Sequence, residues 1–177
     1  MTLLEGKNKV YKLLDEYGNS GDVDEDLAEK MNAFFDTAQK DVAKLAKIIR
    51  TAELTGPGRV QMPNDFRAVH RIWKDGKDVT RKCTWRAGEL MLSEGESVEL
   101  DYFAVPMTIA ENAPDDYEFE VGEDACEAMP FYVAGMVLSS DLVQDGSIYF
   151  ELYERVKMGI STAIPGDRHR VINAFYG

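Results

Sequence analysis

Residues 55–73 read Thr-Gly-Pro-Gly-Arg-Val-Gln-Met-Pro-Asn-Asp-Phe-Arg-Ala-Val-His-Arg-Ile-Trp, and the spacing of the apolar residues changes within this stretch. Before it, apolar residues recur every three, four or seven positions, which is typical of amphipathic helices. After it, apolar and polar residues alternate between closely spaced turn signals, which indicates a small antiparallel sheet. The Gly-Pro-Gly run at 56–58 therefore marks a change from helical to strand structure.

Two helices are predicted before this change. The first begins with a capping box, in which Thr2 and Glu5 each bind the backbone N–H of the other, and Gly18 follows its last apolar residues. The second begins in an acidic run at 22–26, which favours the positive end of a helix. Its apolar face continues from Leu27 to Ile49, about seven turns, and is wide enough to pack against two or more partners.

The elements after the change are predicted from shorter patterns. Period-two alternation and turn residues give strands at Arg67–Trp73, Arg81–Trp85, Glu89–Leu92 and Ser97–Val105, with a hairpin turn at Asp75–Lys77. Residues 117–121 alternate as well, and form either a further strand or an extended approach to the next helix. Two more helices follow: one begins at Glu123 and contains Pro130, and the other runs from Ser147 to Ile160.

This order predicts an α+β protein that is mainly a helical bundle of about four helices, with an inserted small antiparallel β-sheet and an extended C-terminal tail. The helices can bury their apolar faces only against one another, so residues 1–54 and 110–162 are expected to form the bundle. Residues 55–109 are expected to form the inserted antiparallel β-domain. Residues 163–177 follow as a C-terminal docking tail.

Composition excludes several classes of protein. A chain of 177 residues fits one domain. Its net charge of −12 argues against a broad basic surface that wraps nucleic acid and against attachment to an anionic membrane. No apolar run approaches the roughly 20 residues of a membrane helix, and the N-terminus lacks the features of a signal peptide. Cys83 and Cys126 show neither disulfide nor metal spacing, so we expect reduced thiols and synthesis in the cytoplasm.

Charge is segregated along the sequence. From Ala87 through Glu154 there is no Lys or Arg but seventeen Asp and Glu, whereas Arg59 to Arg86 carries eight basic residues and three acids. This pattern suggests a positive face on one copy that meets a negative face on another, or a negative wall along which a polyanion slides without binding. The simpler alternative is that the acids lie on solvated helix and turn surface.

Motifs for catalysis or cofactor binding are weak. The Asp-x-Asp-x-Asp run at 22–26 resembles the beginning of a calcium loop, but Leu27 and Ala33 occupy the positions that require Gly and Glu. Gly56-Pro57-Gly58 lacks the Lys-Ser/Thr pair of a phosphate-binding loop. His70 and His169 have no Cys or acid at metal-ligand spacing. We therefore expect no catalytic, cofactor-binding or metal-binding residues and no cofactor.

Two weaker alternatives concern carboxylates and aromatic residues. No spacing singles out a pair of carboxylates for acid–base hydrolysis. Aromatic side chains on the sheet form either part of its core or a stacking platform for single-stranded nucleic acid. The aromatic residues in question are Trp73, Trp85, Tyr102 and Phe103.

Four segments that together cover nearly the whole chain are similar to one known family. They are the N-terminal helix pair ending at 32–44, Met62-Pro-Asn-Asp-Phe66, Leu100-Asp-Tyr-Phe-Ala-Val-Pro106, and the small-residue helix at 126–135 followed by Asp141 and the aromatic helix at 149–154. The second and third segments resemble a Leu-Pro-x-Asp-Phe entry to the sheet and a closing Tyr-x-Ala-x-Pro strand. In this arrangement the chain resembles the phage head–tail adaptor (connector) family, which includes prophage-encoded members.

The resemblance implies a structural protein without enzymatic activity. Such proteins assemble as rings, typically of twelve copies, beneath the portal, where they extend the DNA channel and provide the docking surface for the tail. The implied partners are the portal protein, tail proteins and further copies of the chain, while DNA passes through without specific binding and no membrane is involved. The protein would be made in the host bacterial cytoplasm and end in the virion.

A ring needs two different patches that meet between neighbouring copies. We expect the basic strand bearing Arg67, Arg71 and Lys74 to face acids of a neighbour between Glu111 and Glu127. The candidates for those acids are Asp115, Asp116, Glu118 and Glu120.

The C-terminal residues are expected to dock on the portal or on the next subunit. Two basic residues would direct the tail toward an acidic surface, and four apolar residues would be buried there. These residues are Arg168, Arg170, Val171, Ile172, Phe175 and Tyr176. The alternative functions are an acidic DNA mimic or another phage protein-interaction module, and a small hydrolase that uses two carboxylates.

Overall fold

The computed structural model describes residues 1–15, 25–86, 89–140 and 145–160. These residues form four helices and two antiparallel sheets, with about 43% helix and 27% strand. In chain order the elements are α1 (Leu3–Asp15), α2 (Glu25–Ala46), β1 (Ile48–Thr55), β2 (Gly58–Val60), β3 (Phe66–Lys74), β4 (Lys77–Asp78), β5 (Thr84–Arg86), β6 (Glu89–Leu92), β7 (Ser97–Ala104), α3 (Glu123–Ser140) and α4 (Ser147–Lys157).

The prediction of a mainly helical bundle is wrong, because the β portion is larger than a small inserted sheet. Part of the difference arises at the end of α2, which stops at Ala46 rather than at Ile49. Lys47 has a φ of 34°, in the left-handed region, and β1 begins at Ile48. Ile48 and Ile49 fit the helical spacing of the preceding apolar face, but their β-branched side chains also favour a strand.

The two sheets share one apolar core. The first sheet has the order β1-β7-β3-β4 and the second has the order β2-β6-β5. Alternate residues of β7 are buried, and Leu90 and Leu92 of β6 lie in the same cluster of buried side chains. The other members of that cluster are Leu54, Ile72, Val98, Leu100, Tyr102 and Ala104. The sheets therefore pack face to face, with polar residues of β7 on the outside.

Several local predictions are confirmed. The strand expected at Arg67–Trp73 lies within β3, and Glu89–Leu92 is β6. Asp75 and Gly76 form the β3–β4 turn with positive φ values of 50° and 70°. The strand expected at Arg81–Trp85 is shorter and shifted, at Thr84–Arg86. Residues 117–121 contribute only one isolated bridge, between Glu118 and Thr2.

The helices form a second core centred on α3. From Ala128 to Leu138 this helix is apolar on all sides, as expected for a helix that is covered by others, and it packs against α1, α2 and α4. A Cβ atom at Gly135 would lie 2.9 Å from the ring of Phe150, so glycine allows α3 and α4 to approach closely. Among the described residues, no helix combines the length and the apolar character that crossing a membrane requires.

Candidate interaction surfaces

Residues 105–122 connect β7 to α3 and lie across the helices; we call this segment the acidic strap. Three polar side chains of α2 hold its first part. The Asn32 amide donates to the Glu111 carbonyl oxygen at 2.6 Å, and the Lys40 ammonium donates to the Thr108 hydroxyl at 2.9 Å. The backbone N–H of Ile109 donates to Asp36 Oδ1 at 2.9 Å.

Gln39 of α2 joins the two ends of the acidic strap and has no exposed surface. Its Oε1 accepts the backbone N–H of Glu120 at 2.9 Å. Its Nε2 donates to the carbonyl oxygen of Met107 at 3.4 Å and to the hydroxyl of Tyr117 at 3.3 Å. Because an unsatisfied polar group is costly to bury, these bonds fix the strap on the helices.

The acidic strap also contacts α1. The Lys7 ammonium lies 3.1 Å from Asp115 Oδ1, and the backbone N–H of Leu3 donates to Tyr117 O at 2.9 Å. Ile109, Phe119 and Val121 of the strap are buried in the helical core. With these groups turned inward, most of the remaining strap side chains face solvent.

The outward surface of the acidic strap is negative. The strap contains five acids and no basic residue. Asp115 pairs with Lys7, and Glu120 pairs with Arg50, whereas Glu111, Asp116 and Glu118 are exposed and make no ion pair with another described residue. Met107 on the same strap is 59% exposed.

Arg50 of β1 joins the first sheet to the acidic strap. One end of its guanidinium donates to Asp65, and the other donates to Glu120 Oε1 at 2.5 Å. Asp65 also accepts the hydroxyl of Tyr102 at 3.0 Å. Burial alone would raise the pKa of Asp65, but the hydrogen bonds from Tyr102 and Arg50 hold it below its ordinary value, so the carboxylate stays charged.

Residues 74–86, from the end of β3 through β5, are rich in basic side chains, and we call them the basic segment. It contains five basic residues and two acids. Lys77, Arg81, Lys82 and Arg86 are exposed and make no ion pair within the described part of the chain. Trp85 lies between the last two in sequence and is 38% exposed.

The residues predicted for the positive side of the interface contact their own chain. The guanidinium of Arg67 donates to Ala43 O at 3.4 Å, and that of Arg71 lies 5.9 Å from the centre of the Trp73 ring. The Lys74 ammonium lies 2.6 Å from Glu96. Among the predicted acids, Asp115 and Glu120 are paired as described, which leaves Asp116 and Glu118.

All six tail residues, Arg168, Arg170, Val171, Ile172, Phe175 and Tyr176, lie outside the described residues.

Sequence reasoning did not select Lys77, Lys82, Arg86 and Trp85 for the interface. Their signal was available, because a basic run beside an Asp-Gly turn indicates an exposed hairpin end.

The acidic strap begins far from the basic segment. The strap follows Ala104, which lies opposite Phe66 at the start of β3. The basic segment begins with Lys74 at the other end of that strand. Eight steps of about 3.3 Å separate the two ends, a distance of about 26 Å. The β3–β4 turn, where the basic segment begins, and the start of the acidic strap therefore lie at different ends of the first sheet.

A separate polar cluster joins α2 to α4. Asp41 accepts the hydroxyl of Tyr153 at 2.6 Å and the ammonium groups of Lys44 and Lys157 at 2.9 and 3.0 Å. Burial alone would raise the pKa of Asp41, but these hydrogen bonds hold it well below its ordinary value. Burial and the hydrogen bond to Asp41 raise the pKa of Tyr153. The cluster therefore holds a carboxylate as the acceptor that ties the two helices together.

Other chemically reactive residues have structural surroundings. Within residues 1–15, 25–86, 89–140 and 145–160, no group of three or more His, Cys, Asp and Glu is arranged to hold a metal ion. The ring of His70 lies 5.2 Å from that of Phe103, and burial raises the pKa of the Cys126 thiol.

The chain matches no model of a known protein family and no curated protein.

Proposed function

We propose that this protein is a structural head–tail adaptor of a phage or prophage particle. In this role, copies of the chain form a ring beneath the portal, extend the DNA channel and provide a surface on which the tail docks. The observation that supports this most directly is that the basic segment begins at one end of the first sheet and the acidic strap begins at the other end. The sequence motifs similar to phage adaptors support the same role.

The separation of the two surfaces favours contact between copies. Since about 26 Å separates the ends of β3, Lys77 of one chain lies too far from the start of its own acidic strap to pair with it there. A basic patch that meets a different, acidic patch on the next copy is a heterologous contact. Such contacts form a ring when the rotation between copies closes.

Net charge is consistent with a channel through which DNA moves. The chain carries a net charge of −12, so a ring of twelve copies would be strongly negative. Carboxylates that are not used between copies repel phosphates and provide no counterion release to favour binding. DNA would then pass such a ring without being held.

Mass photometry of the purified protein, alone and with its portal protein, tests the proposal. Twelve copies of the 19.9-kDa chain have a mass of about 240 kDa, and the mass of the portal assembly should increase by about that amount when the protein is added. Purified particles should contain the chain in a fixed ratio to the portal. A chain that stays monomeric with the portal and is absent from particles contradicts the proposal.

A further inference from the structure

We infer that the basic segment of one copy binds the acidic strap of the next copy, with Trp85 as its apolar anchor on Met107. This inference rests on the proposed ring and identifies which residues form the joint between subunits. The cations of the joint are Lys77, Arg81, Lys82 and Arg86, and the acids are Glu111, Asp116 and Glu118.

Trp85 has the environment of an interface residue. It lies on β5, which is an edge strand of the second sheet and whose three residues are all exposed. Its partner across the ladder is Leu90, which has no exposed surface, so Trp85 stands at the margin of the β core. Trp and Arg are both enriched among the residues that dominate binding between proteins.

The acidic strap provides a matching surface. Met107 is the most exposed of its large apolar residues, and Val105 beside it is 40% exposed. The backbone of Met107 is fixed on both sides, since its carbonyl accepts from Gln39 and its N–H donates to Glu120 Oε2 at 2.8 Å. A flexible thioether on a fixed backbone adapts well to an aromatic ring.

The choice of charged residues follows from the ion pairs within the chain. Lys74, Asp115 and Glu120 are already paired, at 2.6, 3.1 and 2.5 Å, and would have to give up those partners in order to bind another copy. The four exposed cations and three exposed acids named for the joint have no ion pair to lose within the described residues. Opposite charges on two patches direct the encounter of the copies and fix its register.

Disulfide trapping tests the joint directly. In a Cys83→Ala background, Arg86→Cys and Glu118→Cys are combined in one chain and oxidised mildly at high protein concentration. A head-to-tail joint should give a ladder of covalent multimers, because each copy carries both halves of the bond. The control chain carries Lys9→Cys on α1 and Lys44→Cys on α2, where the lysine side chains are 41% and 61% exposed, and should give at least tenfold less product. If the test chain and the control chain give equal amounts of covalent multimers, or if the test chain gives none, the proposed joint is wrong.

Charge exchange provides the second test and does not perturb the core. Lys82→Glu with Arg86→Glu should weaken self-association or assembly on the portal about tenfold, and so should Asp116→Lys with Glu118→Lys. Mixing the two variants should restore assembly, because a reversed segment then meets a reversed strap. Normal assembly of either variant alone overturns the joint. Trp85→Ala should also weaken assembly about tenfold or more.

The outcomes separate this inference from the proposed function. Wild-type rings on the portal together with normal rings of both charge variants would refute the joint and leave the adaptor function intact. A trapped ladder from a chain that is absent from particles would support the joint and refute the adaptor function. Nucleic acid is the competing partner for the basic segment, and titration with a fluorescent oligonucleotide tests for it. If the Lys82→Glu, Arg86→Glu variant loses oligonucleotide binding while its self-association is unchanged, the basic segment binds nucleic acid and the proposed joint is wrong.

Discussion

Replacement of Arg50 by methionine tests how the sheets are held to the helical layer. The change removes the guanidinium that joins Asp65 and Glu120 and keeps much of the apolar length of the side chain. The side chains of Arg50, Asp65 and Glu120 are 29%, 26% and 22% exposed, so the two carboxylates left behind are largely desolvated. Loss of one partner costs about 3–5 kcal/mol in a buried ion pair and about 0–1 kcal/mol in an exposed one. We expect an intermediate loss of about 2–3 kcal/mol.

Thermal and urea unfolding at pH 7 measure this loss. For a domain of this size, 1 kcal/mol corresponds to about 2–4 °C, so Tm should fall by about 5–10 °C. Lys9→Met is the matched control, because it removes an ion pair of 2.7 Å with Glu127 in which the side chains are 41% and 57% exposed. The control should lower the free energy of unfolding by less than about 1 kcal/mol.

A double-mutant cycle identifies the source of the effect. Glu120→Gln in the Arg50→Met background should cost less than Glu120→Gln alone, because the carboxylate has already lost its cation. If Arg50→Met destabilises the protein no more than Lys9→Met does, the junction is not held by these ion pairs and the argument fails.

Three further predictions concern the helices and the tail. Acid should destabilise the wild type more than it destabilises the Asp41→Asn variant. Because the pKa of Asp41 is lowered in the folded protein, the stabilisation from its charge is fully present above about pH 4 and is lost as the pH falls below that value. Urea unfolding of both proteins at pH 7 and pH 3 would measure the difference. Gly135→Ala should cost about 1–3 kcal/mol by forcing the Phe150 ring to move. Gly122→Ala, with no atom within 4 Å of the added Cβ, should cost less than about 1 kcal/mol, which reflects only the lower preference for alanine at the start of α3. Deletion of residues 167–177 should leave Tm nearly unchanged and prevent incorporation into heads; a loss of many degrees would show that these residues belong to the core of their own chain.

The sequence predicts elements whose ends carry local chemical signals. The capping box at Thr2 and Glu5 is such a signal, and both of its hydrogen bonds form, at 2.8 and 3.2 Å. The end of α2 carries no such signal, because Lys47 is an ordinary helix residue by type and Ile48 satisfies both a helical and a strand pattern. Only the packing of β1 against β7 decides between them.

Charge segregation was visible in the sequence, but the sequence does not show which charged side chains form ion pairs within the chain. Lys74 and Lys77 look equivalent beside the Asp-Gly turn, and only the fold brings Glu96 to within 2.6 Å of Lys74. Similarly, Gln39 and Asn32 look like members of a solvated polar face. Contacts between residues that are far apart in sequence, which a local pattern does not contain, make them the supports of the acidic strap.

Since one side chain, Gln39, holds both Met107 and Glu120, the backbone between them is a closed loop whose ends stay fixed whatever its length. Doubling the length of such a loop costs only about 0.6 kcal/mol in closure entropy. Insertions near Asn112, which is exposed and lies in a turn, would change the outer surface without altering either core. A lineage of such proteins could therefore acquire new binding partners by changing this loop while the rest of the molecule stays the same.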